Sequence, residues 1–159
     1  MILCFDIEAD NHLEEATKIH CLVADEIIEN GAQFLITSPK DSKSIEAMIN
    51  QASIVIGHNI IGYDLPLLEK LFGIPYTIGP DTWNNRPVTF IDTLVWSRYL
   101  YPDREGGHSL ESWGKRLGFH KLEHDNFKEF SEEMLEYCKQ DVRLTTKLYK
   151  FLKEKELEA

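Results

Sequence analysis

Five side chains in this sequence have types and spacings able to hold a hard metal cation and a polarised water: Asp6, Glu8, Asp64, Tyr137 and Asp141. Asp6 and Glu8 fall on a predicted strand from Ile2 to Glu8, where successive side chains alternate faces. The two carboxylates therefore point one way while Leu3, Phe5 and Ile7 point the other. Like charges this close oppose each other's ionisation unless a cation lies between them, and oxygen ligands of this kind suit magnesium or manganese. The plainer reading of the pair is a strand running out into a polar loop. Asp64 follows the loop Gly57-His58-Asn59-Ile60-Ile61-Gly62-Tyr63 and precedes a helix with Pro66 in its first turn, so on position alone an N-cap is the better explanation. Asp92, in Ile91-Asp92-Thr93, is read as a cap.

Asp141 is the most demanding of the acids. Met134, Cys138, Val142, Thr145, Leu148 and Leu152 follow the three-and-four spacing of a core-facing helical stripe, and Asp141 falls within it, one turn after Tyr137. A helix carboxylate aimed at a core needs a cation or strong donors. Arg98 or Arg116 is an alternative partner. With no compensating lysine near the four acids in sequence, the set asks for divalent metal.

The elements that must position these groups can be read from periodicity and turn signals. Strands are expected at Ile2 to Glu8, Ile19 to Ala24 and, after an Asn30-Gly31 turn, Gln33 to Thr37, with connections short enough for antiparallel pairing. Strand and helix then alternate: a helix at Ser42 to Gln51, a buried strand at Ile54 to Ile56 and a helix from Asp64 to Phe72 ended by Gly73. A loop from Gly73 to Pro87, a strand at Val88 to Ile91 and a helix at Thr93 to Tyr99 follow. After the Gly106-Gly107 loop come a helix at Ser109 to Arg116 and a long helix from Ser131 to Lys155. An antiparallel start followed by strand-helix units predicts an α/β fold, a mixed sheet flanked by helices.

At 159 residues and 43% hydrophobic content the chain fits one domain, residues 1–159. The formal charge of −10 opposes long-range attraction of polyanions, so affinity for one must be gained near the site. Cys4, Cys21 and Cys138 lack disulfide or zinc-site spacing and read as buried free thiols. No segment has the length of a membrane span and the first residues lack a signal-peptide pattern, which predicts a cytoplasmic protein with monomer as the default.

Asp6-Ile7-Glu8, Asn59-x-x-x-Tyr63-Asp64 and Tyr137-x-x-x-Asp141, in this order, resemble the three exonuclease motifs of the DnaQ-like superfamily in its tyrosine branch. Segments between them, Thr17 to Cys21, Ile91 to Arg98 and His108 to Gly118, resemble the proofreading domain of bacteriophage family A DNA polymerases, so the likeness covers nearly the whole chain. No polymerase region follows Ala159, which fits either a free-standing exonuclease or an excised domain.

The resemblance implies a ribonuclease H-like fold and 3′→5′ hydrolysis of DNA ends, single-stranded by preference, with two Mg2+ or Mn2+ ions. It implies that Asp6 bridges both ions, that Glu8 and Asp141 hold the one activating water, that Asp64 supports the other, and that Tyr137 orients the nucleophile. Candidate substrate contacts are Asn59, Ile7, His12, Leu13, His108 and Lys115. His12 stands where the relatives carry an apolar residue, so the base contact made there is not carried over. His20 and His58 are read as structural and Tyr63 as packing. DNA 3′ ends are the expected partner, with a separate polymerase or other replication proteins as further partners and the membrane excluded. The competing readings are a ribonuclease D-like exoribonuclease and an inactive nucleic-acid or polymerase-binding module.

Overall fold

A computed structural model describes residues 1–28, 33–37, 43–74, 82–83 and 86–158. Strand β1 (Ile2–Ala9) is central and pairs antiparallel with β2 (Ile19–Glu26), which pairs antiparallel with β3 (Gln33–Thr37). On its other side β1 runs parallel to β4 (Ile54–Gly57), and β4 parallel to β7 (Thr89–Asp92), giving the order β3-β2-β1-β4-β7. This is the expected mixed sheet with an antiparallel first half. The Asn30-Gly31 turn, Ser42 and most of the loop expected before Pro87 lie outside the described residues. Within that loop Thr82–Trp83 (β5) and Arg86–Pro87 (β6) form a small antiparallel pair that the proline and glycine content does not announce.

The period-two pattern of β1 divides the core in two. Leu3, Phe5 and Ile7 pack on one face with Leu22 and Ala24 of β2, under α1 (Lys43–Asn50) and α2 (Leu65–Phe72), which contribute Ile45, Ile49, Leu67 and Leu68. Cys4 faces the other way, among Cys21, Val23, Ile56, Met134, Cys138 and Val142. Asp6 and Glu8 share the parity of Cys4, so the hydrophobic drive that buries Phe5 and Ile7 also turns both carboxylates toward the second face. The pairing register shifts between Glu8 and Ala9, a bulge-like irregularity at the strand end where the acids sit.

That second face is covered by α5 (Glu132–Glu158), whose 27 residues span about 40 Å. Ser131 caps it, its Oγ accepting from Met134 N at 3.1 Å. Leu148 and Leu152 continue the stripe onto Trp113 of α4 (Leu110–Leu117), and the ring of Trp96 in α3 (Thr93–Leu100) meets that of Tyr149 at a tilt of 54°. The stripe read from sequence is thus the buried face, and Asp141, 5% exposed, is inside it.

The segment between β4 and α2 departs from expectation. The helix does not begin at Asp64: Ile60–Asp64 forms one wide turn with π-type bonding that leads into α2, and Asn59 before it has φ 61°. Gly57 and Gly62 permit this path. A Cβ on Gly57 would meet Ile60 Cγ2 at 2.1 Å, and one on Gly62 would meet Asn59 Oδ1 at 2.5 Å. Such single π turns recur where a side chain must be re-aimed for function.

Candidate active site

The wide turn decides the role of Asp64. Its backbone is already helical (φ −62°, ψ −45°) and its side chain caps nothing. Instead Oδ1 accepts a 3.2 Å hydrogen bond from Ile7 N, fixing Asp64 beside the end of β1. The capping reading therefore fails for Asp64 and holds for Asp92, whose Oδ1 accepts from Leu94 N at 2.9 Å. Asp92 also receives Asn59 N at 2.8 Å and Ile61 N at 3.0 Å, so it locks the turn that presents Asp64.

Asp6, Glu8, Asp64 and Asp141 converge from β1, the π turn and α5. Burial and then Asp6 hold Glu8 and Asp64 well above the usual carboxylate range. Burial raises Asp6 as well, partly offset by hydrogen bonding with Glu8 and by the Lys121 charge. Asp141 is pushed up to about 8 by burial and by Asp6, against the opposing pull of Lys121. The physical meaning is a set of acids with too little positive charge among them. Asp141 Oδ1 is buried without a hydrogen-bond partner among the described residues, an orphan acceptor of the kind a metal ion satisfies. The donor set, all carboxylate oxygens around one strand end, fits a hard divalent cation.

Lys121 is a residue of this site that the sequence reading did not single out. It sits in the irregular segment between α4 and α5, its Nζ 3.5 Å from Asp141 Oδ2 and 2.6 Å from Tyr137 Oη, to which it donates. Neither Arg98 nor Arg116, the partners considered for Asp141, makes this ion pair; Arg116 instead lies over the Phe151 ring. The side chains of Lys121 and Asp141 are 23% and 7% exposed, so the pair lies between a surface bridge and a buried one. Lys121→Met is therefore expected to lower the stability of the metal-free protein by about 1–2 kcal/mol. Thermal denaturation with and without Mg2+ checks this. An unchanged melting temperature without metal would mean that Asp141 does not depend on the ammonium.

Tyr137 is half-buried between the rings of His124 and Phe127, and burial raises its hydroxyl despite the Lys121 bond. Because Lys121 donates to Oη, the Tyr137 proton remains free to be donated toward the carboxylates' side of the site.

Two openings flank the acids. One, of about 450 Å3, is lined by Glu8, Asn11, His12, Tyr63, Phe127 and Lys128 among others, and the Tyr63 hydroxyl is spent on Asn11 O at 2.7 Å. The other, of about 420 Å3, brings Asp6 and Asp141 together with Asn59, Arg98, His108 and Lys121. His12, Asn59 and His108 thus lie beside the acids. His108 Nδ1 is 2.6 Å from Ser97 Oγ, which steadies the ring. Ile7 lies in the opposite core, 2% exposed, and only its backbone N–H reaches the site, through Asp64. Leu13 packs against that same core and its carbonyl accepts from Lys70 at 2.8 Å. Lys115 lines neither opening and pairs with Glu111 at 3.8 Å. The histidines read as structural are bonded: His20 Nε2 to Phe127 O at 2.8 Å, and His58 Nδ1 to Thr93 Oγ1 at 2.8 Å. Burial pulls His58 down to about 4, so it stays neutral beside the acids.

Residues 3–127, which carry Asp6, Glu8 and Asp64, match the RNase H superfamily. The chain belongs to that superfamily. It is also similar to the DNA-directed DNA polymerases of Enterobacteria phage T3 and Escherichia phage T7, 31% identical over 186 and 182 residues. Those alignments cover 92% and 90% of this chain but 26% and 25% of the polymerases, so the chain spans about a quarter of the length of these relatives. Among solved structures, Brucella melitensis NrnC with bound Mg2+ matches with TM-score 0.70 at 15% identity, over 97% of this chain and 72% of that one. Escherichia coli RNase D, an exoribonuclease, matches with TM-score 0.65 at 15% identity, over 97% of this chain and 39% of that one. At these identities the likeness is one of fold. Among the described residues no helix is long and apolar enough to cross a membrane.

Proposed function

We propose that this RNase H superfamily member is a 3′→5′ exonuclease acting on DNA, single-stranded by preference, and releasing nucleoside 5′-monophosphates. The observation that carries the reading is the excess of buried acid: burial raises all four carboxyls, Asp141 is the one of them with an ion pair among the described residues, to Lys121, and Asp141 keeps an unsatisfied buried oxygen. Similarity to the phage polymerases supports DNA as substrate, and the pairing of Tyr137 with Asp141 on one helix turn supports the exonucleolytic assignment.

Asp6, Glu8, Asp64 and Asp141 would hold two divalent ions, Mg2+ or Mn2+. When bound, such ions lower the pKa of an attacking water and neutralise charge on phosphoryl and departing 3′ oxygens. The chain's own groups do the rest. Tyr137, held by Lys121, donates its hydroxyl proton toward the water or a phosphoryl oxygen and so fixes the line of attack. Arg98 and His108, on the Asp6 side, offer donors to the phosphate of the incoming strand. His12, Tyr63 and Phe127 line the opposite groove, where an unpaired terminal base finds ring and imidazole surfaces to stack on. Asn59, which packs beside Gly62 in its own turn and lines the same opening as Arg98 and His108, would contact that strand.

A 5′-labelled oligonucleotide, offered as DNA and as RNA with Mg2+, Mn2+ or EDTA, tests this directly. The expected result is a ladder shortening from the 3′ end, only with metal, faster on single-stranded DNA than on duplex or RNA. Faster loss of RNA would favour the exoribonuclease reading that the fold likeness to RNase D also admits. Binding without cleavage under every metal would leave only the accessory-module reading.

A further inference from the structure

Cys138 is a side chain at the carboxylate cluster that the hydrolytic chemistry does not use, and it also bonds the neighbouring Cys21 thiol. It is fully buried on the inner face of α5, and its Sγ lies 3.5 Å from the carbonyl oxygen and 3.6 Å from Oδ2 of Asp6. Ligand atoms of Asp6, Glu8 and Cys138 all fall within 4.8 Å of one another. An ion at the centre of such a triangle lies within about 2.8 Å of every vertex, so each ligand atom need close by at most about 0.5 Å for sulfur and about 0.8 Å for oxygen to reach zinc bond lengths. Asp141, on the same face of α5 one turn after Cys138, is the candidate for a fourth ligand. It is 5% exposed, and its Oδ1 has no hydrogen-bond partner among the described residues.

Sulfur changes what such a site selects. Mg2+ takes oxygen ligands and gains little from a thiol, whereas Zn2+ and Cd2+ bind thiolate strongly and accept tetrahedral sets mixed with carboxylate. We propose that Asp6, Glu8 and Cys138, completed by Asp141, form a site for a thiophilic divalent cation of the Zn2+ or Cd2+ class, whose binding excludes the ions that support hydrolysis. Binding forms a metal–sulfur bond as the S–H bond breaks, and the proton leaves to solvent. Asp6 and Asp141 cannot serve both ion sets at once, so a thiophilic ion inhibits. The inhibition rests on the exonuclease reading; the binding does not.

Cadmium chloride is the probe. Titrated into the reduced chain, it should produce the ultraviolet thiolate-to-cadmium absorption band, saturating at one equivalent, with release of at least the thiol proton and, near neutral pH, of protons held by the raised acids. Cys138→Ser and Cys138→Ala should both abolish the band, each checked for folding by far-ultraviolet circular dichroism. Cys4→Ser and Cys21→Ser, which alter the neighbouring buried thiols, should keep it. Asp6→Asn, which leaves every thiol in place, should weaken Cd2+ binding at least about tenfold. No band in the unaltered chain, a band surviving both Cys138 variants, or a Cd2+ affinity indifferent to Asp6→Asn would each overturn the proposal. The two readings separate cleanly. A cadmium band without Mg2+-dependent cleavage removes the exonuclease and leaves the site, and cleavage without a band does the reverse.

Discussion

Asp6→Asn and Asp141→Asn should each reduce hydrolysis by at least about a thousandfold, the scale seen when a principal electrostatic group is lost, while making the metal-free protein more stable. The two effects have one cause. Burial raises Asp6 and Asp141, and Asp6 adds to the burden on Glu8, Asp64 and Asp141, so neutralising either acid relieves repulsion that folding must otherwise bear. For a chain of this size a relief of about 1 kcal/mol raises the melting temperature by about 2–4 °C. Asparagine keeps the shape, and in Asp6→Asn the Cys138 contact to the backbone carbonyl survives. Cleavage of labelled single-stranded DNA and thermal denaturation in EDTA measure the two halves. Lost activity with lowered stability would mark these acids as structural. Retained activity would remove them from the reaction altogether.

The acids of β1 and α5 were legible because their placement follows from local periodicity. Alternation along Ile2 to Glu8 sends Asp6 and Glu8 to the face opposite Phe5, and the stripe from Met134 to Leu152 carries Asp141 inward whatever lies across from it. The sheet order was legible to the extent that short connections favour antiparallel pairs and intervening helices favour parallel ones. Lys121 was not, since it lies in a stretch without regular structure and meets Asp141 only through tertiary packing. No local pattern distinguishes it from Lys115, which the resemblance suggested and which pairs with Glu111 instead. Asp64 looked like a cap because a proline follows it, and nothing local announces that a π turn will rotate it onto Ile7 N. The contact of Cys138 with Asp6 spans 132 positions in the chain and is likewise invisible to spacing rules.

The acid excess also fixes how stability must vary with pH, and metal must reverse the trend. An acid whose pKa is higher in the folded chain than in the unfolded one binds more protons when folded, so stability falls as pH rises between the two values. For Asp141 that window runs from the unfolded value of 3.8 to about 8, and Asp6, Glu8 and Asp64 are shifted in the same direction. Lys121, raised by Asp141 and Tyr137 against the opposing effect of burial, keeps its charge throughout the window. In EDTA the melting temperature should therefore decline steadily from about pH 5 to about pH 8, when most globular domains hold level. Saturating Mg2+ or Mn2+ binds the ionised set and not the protonated one, so the stabilisation it confers should grow with pH and flatten the decline. In Asp141→Asn both the slope and the metal-dependent gain should shrink together. If the profile in EDTA stays flat while metal still stabilises, the ion binds elsewhere on this acidic surface. If the decline persists unchanged in Asp141→Asn, the strain resides in Asp6, Glu8 and Asp64, and the unsatisfied oxygen of Asp141 is not the metal's anchor.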